Sequence, residues 1–519
     1  LYSKLAEKLH VDSPPGLVIR PFVFYASAAL ILCFVALSLI FFDQADAAYT
    51  AAKGFVTANA GWFLILTVSS ALVFILYLNF SRFGKIRLGG PDTEPDFSRW
   101  GWFAMLFSAG MGIGLIFWSV AEPIYHFASP PLHEAESVSA ARQSMVFTFY
   151  HWGLHAWGIY ALVGLSLAFF SYNCGLPLTI RSAFYPLFGK KVNGLLGDVI
   201  DTLAVVATLF GVATSLGLGV QQVNAGLGFL VESIPTNDVS VQIALIAGIT
   251  LVATISVVKG VDAGIRRLSE LNMWFAGALL LAVLIFGPTH FIFDSFVQNI
   301  GAYFQQLPRL SFWTQAYTPE EQWLEWWTVF YWAWWIAWSP FVGMFIARIS
   351  KGRTISEFIT GVLLVPTLLT FIWLSVFGSS AIFDGLFNDQ SQLAKVVVQD
   401  DQTASALFVM FQGFPLTSVL SAIAVIVVIL FFVTSSDSGS LVIDIITAGG
   451  YTDPPVRQRI FWAVAEGIVA AILLLGGGLE ALQTASVVTG LPFAVVLIIM
   501  AIGLHRGLVE YEKKVQEKT

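Results

Sequence analysis

Long apolar runs alternate with short polar segments along the whole chain. Twelve of the runs approach the roughly 17 to 25 residues that a helix needs to cross a bilayer core. They lie at 21–42, 59–80, 101–121, 142–172, 198–231, 238–258, 272–294, 323–348, 355–383, 415–436, 458–476 and 482–505. Ala45-Asp-Ala-Ala48 resembles a signal cleavage site, but the apolar run before it is too long for a signal peptide, so the first run is read as a retained helix. Lysine and arginine are distributed unevenly between the runs. With the N-terminus placed inside, all of the 26 fall in inside segments except Lys53, Arg142, Arg309 and Lys395. Because basic loops stay cytoplasmic, this predicts twelve spans with both termini in the cytoplasm.

Between the sixth and seventh spans, Val261, Ile265, Leu268 and Leu271 recur at helical spacing opposite Asp262, Arg266 and Arg267. That pattern suits a short helix at about 260–271 lying in the membrane interface; an ordinary charged loop is the alternative. The expected organisation is a segment 1–20, two peripheral helices within 21–80, a five-helix unit 101–294, a second unit 323–505 and a tail 506–519. Ala109-Gly-Met-Gly-Ile-Gly114 interrupts the third span and Trp338-Ser-Pro-Phe-Val-Gly343 the eighth, each the first of its five. Five-helix units that open on a broken helix and start on opposite sides of the membrane mark an inverted-repeat transporter with a site near the midplane. Glycine clusters also serve close helix packing, which is the simpler reading of either cluster taken alone. The fold class expected is all-α and integral to the membrane.

Composition narrows the function classes. Charged residues make up 11% of the chain and hydrophobic ones 57%, whereas soluble domains carry about 25% charged residues. A net charge of −7 excludes a large basic surface for nucleic acid. Cys33 and Cys174 stand apart, without a metal-ligand spacing, so neither a disulfide scaffold nor a zinc site is expected.

Aromatic residues concentrate in two places. In Phe330-Tyr-Trp-Ala-Trp-Trp-Ile-Ala-Trp338 a helix places Phe330, Trp334 and Trp338 on one stripe and Trp335 about 100° round from Trp334, offering rings to two surroundings. In the fourth span Trp152, Trp157 and Tyr160 fall within an arc of about 140° on a regular helix. With Trp335 they could wall a cage for a quaternary ammonium group, which ring faces hold because it cannot donate hydrogen bonds; simple aromatic packing is the alternative. His151 and His155 stand one turn apart, without a third ligand at matching spacing, and read as core histidines bonded to neighbouring helices rather than as ligands of a metal or haem. Phe431-Phe-Val-Thr-Ser-Ser-Asp437 puts hydroxyls at the expected end of the tenth span. Thr434 and Ser435, with carbonyls freed near Gly110, would form an all-oxygen shell suited to sodium; hydroxyls bonding back to helix carbonyls are the alternative. An enzyme would need a nucleophile–base or metal constellation, which cannot be assembled here, and a channel would need polar rings repeated across spans.

The Trp-rich run continuing into Trp338-Ser-Pro-Phe-Val-Gly-Met-Phe-Ile-Ala-Arg-Ile-Ser-Lys-Gly-Arg353, with Gly110-Met-Gly-Ile-Gly114 upstream, resembles the betaine/choline/carnitine transporter family over about residues 20–505. The resemblance implies twelve helices, two N-terminal ones followed by the inverted five-helix repeat of neurotransmitter:sodium symporters (LeuT-like), usually as a homotrimer in the bacterial inner membrane. Carried over by position, the substrate box corresponds to Trp152, Trp157, Tyr160 and Trp335, beside Gly110, Met111, Gly112 and Gly114. The pathway corresponds to Phe330, Trp334, Trp338 and Phe341. A sodium site corresponds to Ser108, Met111, Phe431, Thr434 and Ser435. A second sodium position would need two hydroxyls on the fifth span; Thr208 is present, but Val212 replaces the other, which puts two-ion coupling in doubt. Choline-type relatives carry an acidic residue where this chain has Gly114, so the resemblance implies a zwitterionic onium cargo such as glycine betaine or dimethylsulfoniopropionate. The run Leu178-Thr-Ile-Arg-Ser-Ala-Phe184 instead looks close to bacterial choline carriers, and proton-coupled choline uptake is the alternative. No cofactor beyond the coupling ion is implied.

Overall fold

In hydrocarbon a backbone must satisfy its own hydrogen bonds, and a helix does so within one segment. The computed structural model describes residues 17–258, 262–318, 322–388 and 390–517, and these are all-helical, with one isolated bridge between Arg87 and Thr354. Its long helices are α1 (Pro21–Ile40), α2 (Phe42–Phe80), α3 (Arg99–Gly110), α4 (Ile113–Ala128), α5 (Val138–Trp152), α6 (Leu154–Ala168) and α7 (Leu195–Leu230). There follow α8 (Val239–Val258), α9 (Asp262–Phe286), α10 (Thr289–Leu310), α11 (Phe330–Ile349), α12 (Ile355–Phe387), α13 (Thr417–Thr447) and α14 (Val456–Gln516). Among the described residues, 10 helices are long and apolar enough to cross a membrane, or 11 if α3 and α4, bent by 57°, form one span. The 61-residue α14 is non-helical at Gly477 and Gly478, both at positive φ, which divides it in two.

Several expectations change. The eighth span is not broken at Trp338–Gly343: α11 runs through Pro340 without interruption. Pro340 has no N–H to offer the Ile336 carbonyl, and the Ser339 hydroxyl donates to that carbonyl instead, at 2.7 Å. The fourth span, expected whole, is interrupted at Gly153 (φ −97, ψ −139), where a Cβ would stand 2.6 Å from the Phe149 carbonyl and 2.8 Å from the Tyr303 hydroxyl. Freed backbone groups find partners there: Leu154 N–H donates to Tyr303 Oη at 3.1 Å, and the Trp152 carbonyl accepts from Thr370 Oγ1 at 3.1 Å. The seventh span stops at Phe286, and Gly287-Pro288 leads into the separate helix α10, whose buried residues Ile292, Asn299, Tyr303 and Leu310 lie on one stripe. The tenth span does not end near Asp437 but continues to Thr447, because Thr434 bonds back to the Leu430 carbonyl (3.0 Å) and Asp437 pairs with Arg459 (2.7 Å). Of the expected interfacial helix, residues 259–261 lie outside the described residues, as do the side chains as far as Arg267; from Asp262 the stretch is the start of α9, one helix with the seventh span.

Contacts between the polar segments respect the predicted alternation. Arg20 and Arg181 both pair with Asp198 at 2.8 Å, Arg82 with Glu512 at 3.0 Å and Arg99 with Glu357 at 3.1 Å, each joining segments assigned to one side. Lys53 lies 3.4 Å from the Trp326 ring centre and 3.5 Å from Gln483 Oε1, joining three segments assigned to the other.

Candidate functional site

Two adjoining cavities open where α3 gives way to α4. Met111 and Gly112 are extended there, and α4 starts at Ile113 with its first N–H groups free of helix partners. The inner cavity, about 430 Å³, is lined by Gly110, Met111, Gly112 and Gly114 from the break, by Trp152, Trp157 and Tyr160 from α5 and α6, and by Trp334, Trp335 and Trp338 from α11. The arc reckoned for Trp152 to Tyr160 assumed an unbroken helix; despite Gly153, all three rings reach the same space. Trp152 and Trp335 meet edge to face at 4.9 Å, Trp157 and Tyr160 at 5.2 Å, and Tyr160 and Trp335 at 6.4 Å. Trp334 and Trp335, expected in different surroundings, stack 4.6 Å apart and line one cavity, while α11 offers Trp338 and Phe341 to the second. Phe330 stacks on Trp334 at 5.4 Å, behind the lining, and Trp338 leads to Phe341 at 5.5 Å.

Two of the cavity's indoles are tied by their N–H groups. Trp335 Nε1 donates to the His151 carbonyl at 2.9 Å, while Trp152 Nε1 donates to Glu122 Oε2 at 2.8 Å. The Tyr160 hydroxyl is buried without a hydrogen-bond partner among the described residues. A Cβ on Gly114 would stand 2.5 Å from Trp334 Cη2 and 3.3 Å from Trp152 Cη2, so this glycine lets the backbone approach the rings.

The outer cavity, about 1040 Å³, continues past Trp338 and Phe341 to Arg348 and brings together Ser108, Met111, Phe431, Thr434 and Ser435. Thr208 lies in neither cavity; its hydroxyl is buried without a partner among the described residues, and Val212 one turn on is fully buried. Glu466, fully buried in α14, accepts from Ser436 Oγ at 3.1 Å through Oε2. The histidines are core residues: His151 Nδ1 is 2.6 Å from Glu122 Oε1, and His155 Nε2 is 3.0 Å from Ser311 Oγ. Sequence reasoning missed Glu122, Tyr331 and Thr370 beside these rings. Glu122, a lone acid in an apolar run, was the signal that could have found the first of them, because an intramembrane charge needs partners.

A broken helix beside an aromatic chamber, enclosed by a bundle of apolar helices, defines a membrane carrier of small molecules. Residues 22–513 match the betaine/carnitine/choline family of transporters, BCCT, and the chain belongs to that family. It is therefore a multi-pass membrane transporter and not an enzyme. It is 47% identical over 496 residues to an uncharacterized transporter of Mycobacterium tuberculosis, covering 94% of this chain and 82% of that one. It is 45% identical over 490 residues to a glycine betaine transporter of Acinetobacter baylyi (94% and 73%). A glycine betaine/proline/choline transporter of Vibrio parahaemolyticus is 44% identical over 522 residues (96% and 91%).

Proposed function

We propose that the protein is a sodium-coupled symporter that imports glycine betaine or a similar zwitterionic onium compound such as dimethylsulfoniopropionate. The observation that carries this reading is the inner cavity, where six aromatic side chains, Trp152, Trp157, Tyr160 and Trp335 among them, surround a space bordered by unwound backbone. Ring faces attract a methylated cation, and the N–H groups that open α4 suit its carboxylate. Gly114 supplies no counter-charge for a cargo lacking its own anion. Sodium would bind among Ser108, Met111, Phe431, Thr434 and Ser435, which line one cavity. Because α3 belongs to the first five-helix unit and α13 to the second, an ion between them can bias one conformation over another.

The same reading takes the bent pair as one span and the halves of α14 as two, giving twelve. Two peripheral helices precede two inverted five-helix units, both termini are cytoplasmic, and the protein sits as a homotrimer in a bacterial inner membrane. The first helices of the two units both border the inner cavity, through Met111 and Trp338 among others. Proton-coupled uptake of choline is the rival, and Glu466 favours it: a buried acid whose Oε1 has no partner among the described residues, near Val212. Uptake of radiolabelled betaine into proteoliposomes decides between them. An inward sodium gradient at uniform pH drives accumulation if the proposal holds; uptake that follows a pH gradient and ignores sodium refutes it.

A further inference from the structure

Glu122 stands on α4 behind the inner cavity, fully buried. Its ionic contacts among the described residues are two imidazoles, His151 Nδ1 at 2.6 Å and His126 Nε2 at 3.2 Å from Oε1, with no lysine or arginine. Oε2 accepts from Trp152 Nε1 at 2.8 Å and from the Tyr331 hydroxyl at 2.5 Å. An indole N–H can only donate, so Oε2 is an acceptor. His126 fits as a neutral imidazole, because a protonated ring would bury an Nδ1–H that has no acceptor among the described residues, and His151 Nε2 lies 2.9 Å from Thr328 Oγ1. Glu122, His126 and His151 have the donor types of a metal site. With both carboxylate oxygens already serving four neighbours, however, no lone pair is left open for an ion.

This cluster is tied to two rings of the cavity by their edges. Trp152 bonds to Glu122 itself, and Trp335 to the carbonyl of its partner His151 at 2.9 Å. The ring faces remain available to a ligand, and a fixed carboxylate lies behind them in a medium where charges act over longer distances than in water.

We infer that Glu122 is a positioning and charge-selecting residue of the onium site: it orients the Trp152 indole and makes the cavity prefer a methylated cation to an uncharged group of the same shape. The inference rests on the proposed reading that this cavity holds an onium substrate. The test compares glycine betaine with 3,3-dimethylbutanoate, its carbon isostere, in which tert-butyl replaces trimethylammonium. Affinities for both are read from tryptophan fluorescence titrations of the purified full chain.

In the wild type betaine binds more tightly. Glu122→Gln is expected to cut the betaine-to-isostere affinity ratio at least about fivefold. An unchanged ratio in Glu122→Gln overturns the inference, as does a wild type that binds the two equally. If Glu122→Gln does not fold, Tyr331→Phe, which keeps the carboxylate, is expected to retain the wild-type ratio, and its loss there overturns the assignment to Glu122. Trp157→Leu separates the two levels. Unchanged betaine affinity in that variant and in Trp335→Leu removes the onium reading itself; lowered affinity in either, with an unchanged ratio in Glu122→Gln, removes only the role of Glu122.

Discussion

Trp335 and Trp157 approach the inner cavity from different helices, α11 and α6, so truncating either leaves the other ring in place. Replacing one by Leu removes a ring quadrupole worth about 0.5–2 kcal/mol, which lowers betaine affinity roughly 2- to 30-fold. Concentration dependence of uptake measures this, and unchanged affinity in both variants would exclude the rings from the cation site. At this scale the sequence was informative wherever a residue type is costly in its place. Clustered tryptophans beside glycines, away from any interface belt, pointed to Trp152, Trp157, Tyr160 and Trp335, which line one cavity. Tyr331 and Thr370 were not legible, because their roles depend on which distant helix packs against them: Tyr331 reaches Glu122 on α4, and Thr370 reaches the freed carbonyl of Trp152.

Among elements, the first break was readable and the second was misplaced. Gly110, Gly112 and Gly114 put three poor helix formers within five residues, and the helix yields at Met111-Gly112. Pro340 carries the stronger breaking signal, yet α11 stays intact through the bond from Ser339 Oγ to the Ile336 carbonyl. Hydroxyl repair of that kind is invisible to hydropathy. Ser339→Ala leaves a buried carbonyl without its donor, at a cost of about 1–3 kcal/mol. It is expected to lower the thermal midpoint in detergent, and an unchanged midpoint would mean that the carbonyl has another partner. Gly153 broke the fourth span where the sequence offered a lone glycine, and the cause lies outside the span: Tyr303, on the unanticipated helix α10, occupies the space where a Cβ would stand. Helix α10 itself was missed because its first turn continues the apolar run of the seventh span across Gly287-Pro288.

For the whole molecule, the charge pattern can be compared with the contacts between polar segments. Arg20, Asp198 and Arg181 come together, as do Arg82 with Glu512 and Lys53 with Gln483, always between segments assigned to a common side. The proposed coupling is a property at this scale too, since the cavity proposed for the ion is lined from both α3 and α13, which the proposal assigns to different five-helix units. A zwitterion moves no net charge, so the charge carried per betaine counts the coupling ions. Val212, in place of a second hydroxyl near Thr208, favours one sodium. The deciding measurement is the reversal potential of betaine-evoked current in proteoliposomes, with the sodium gradient fixed and the betaine gradient varied. One sodium per substrate predicts a shift of about 59 mV for a tenfold change in the betaine gradient. A shift of about 30 mV would contradict that stoichiometry, and a reversal potential set by pH and indifferent to sodium would contradict sodium coupling altogether.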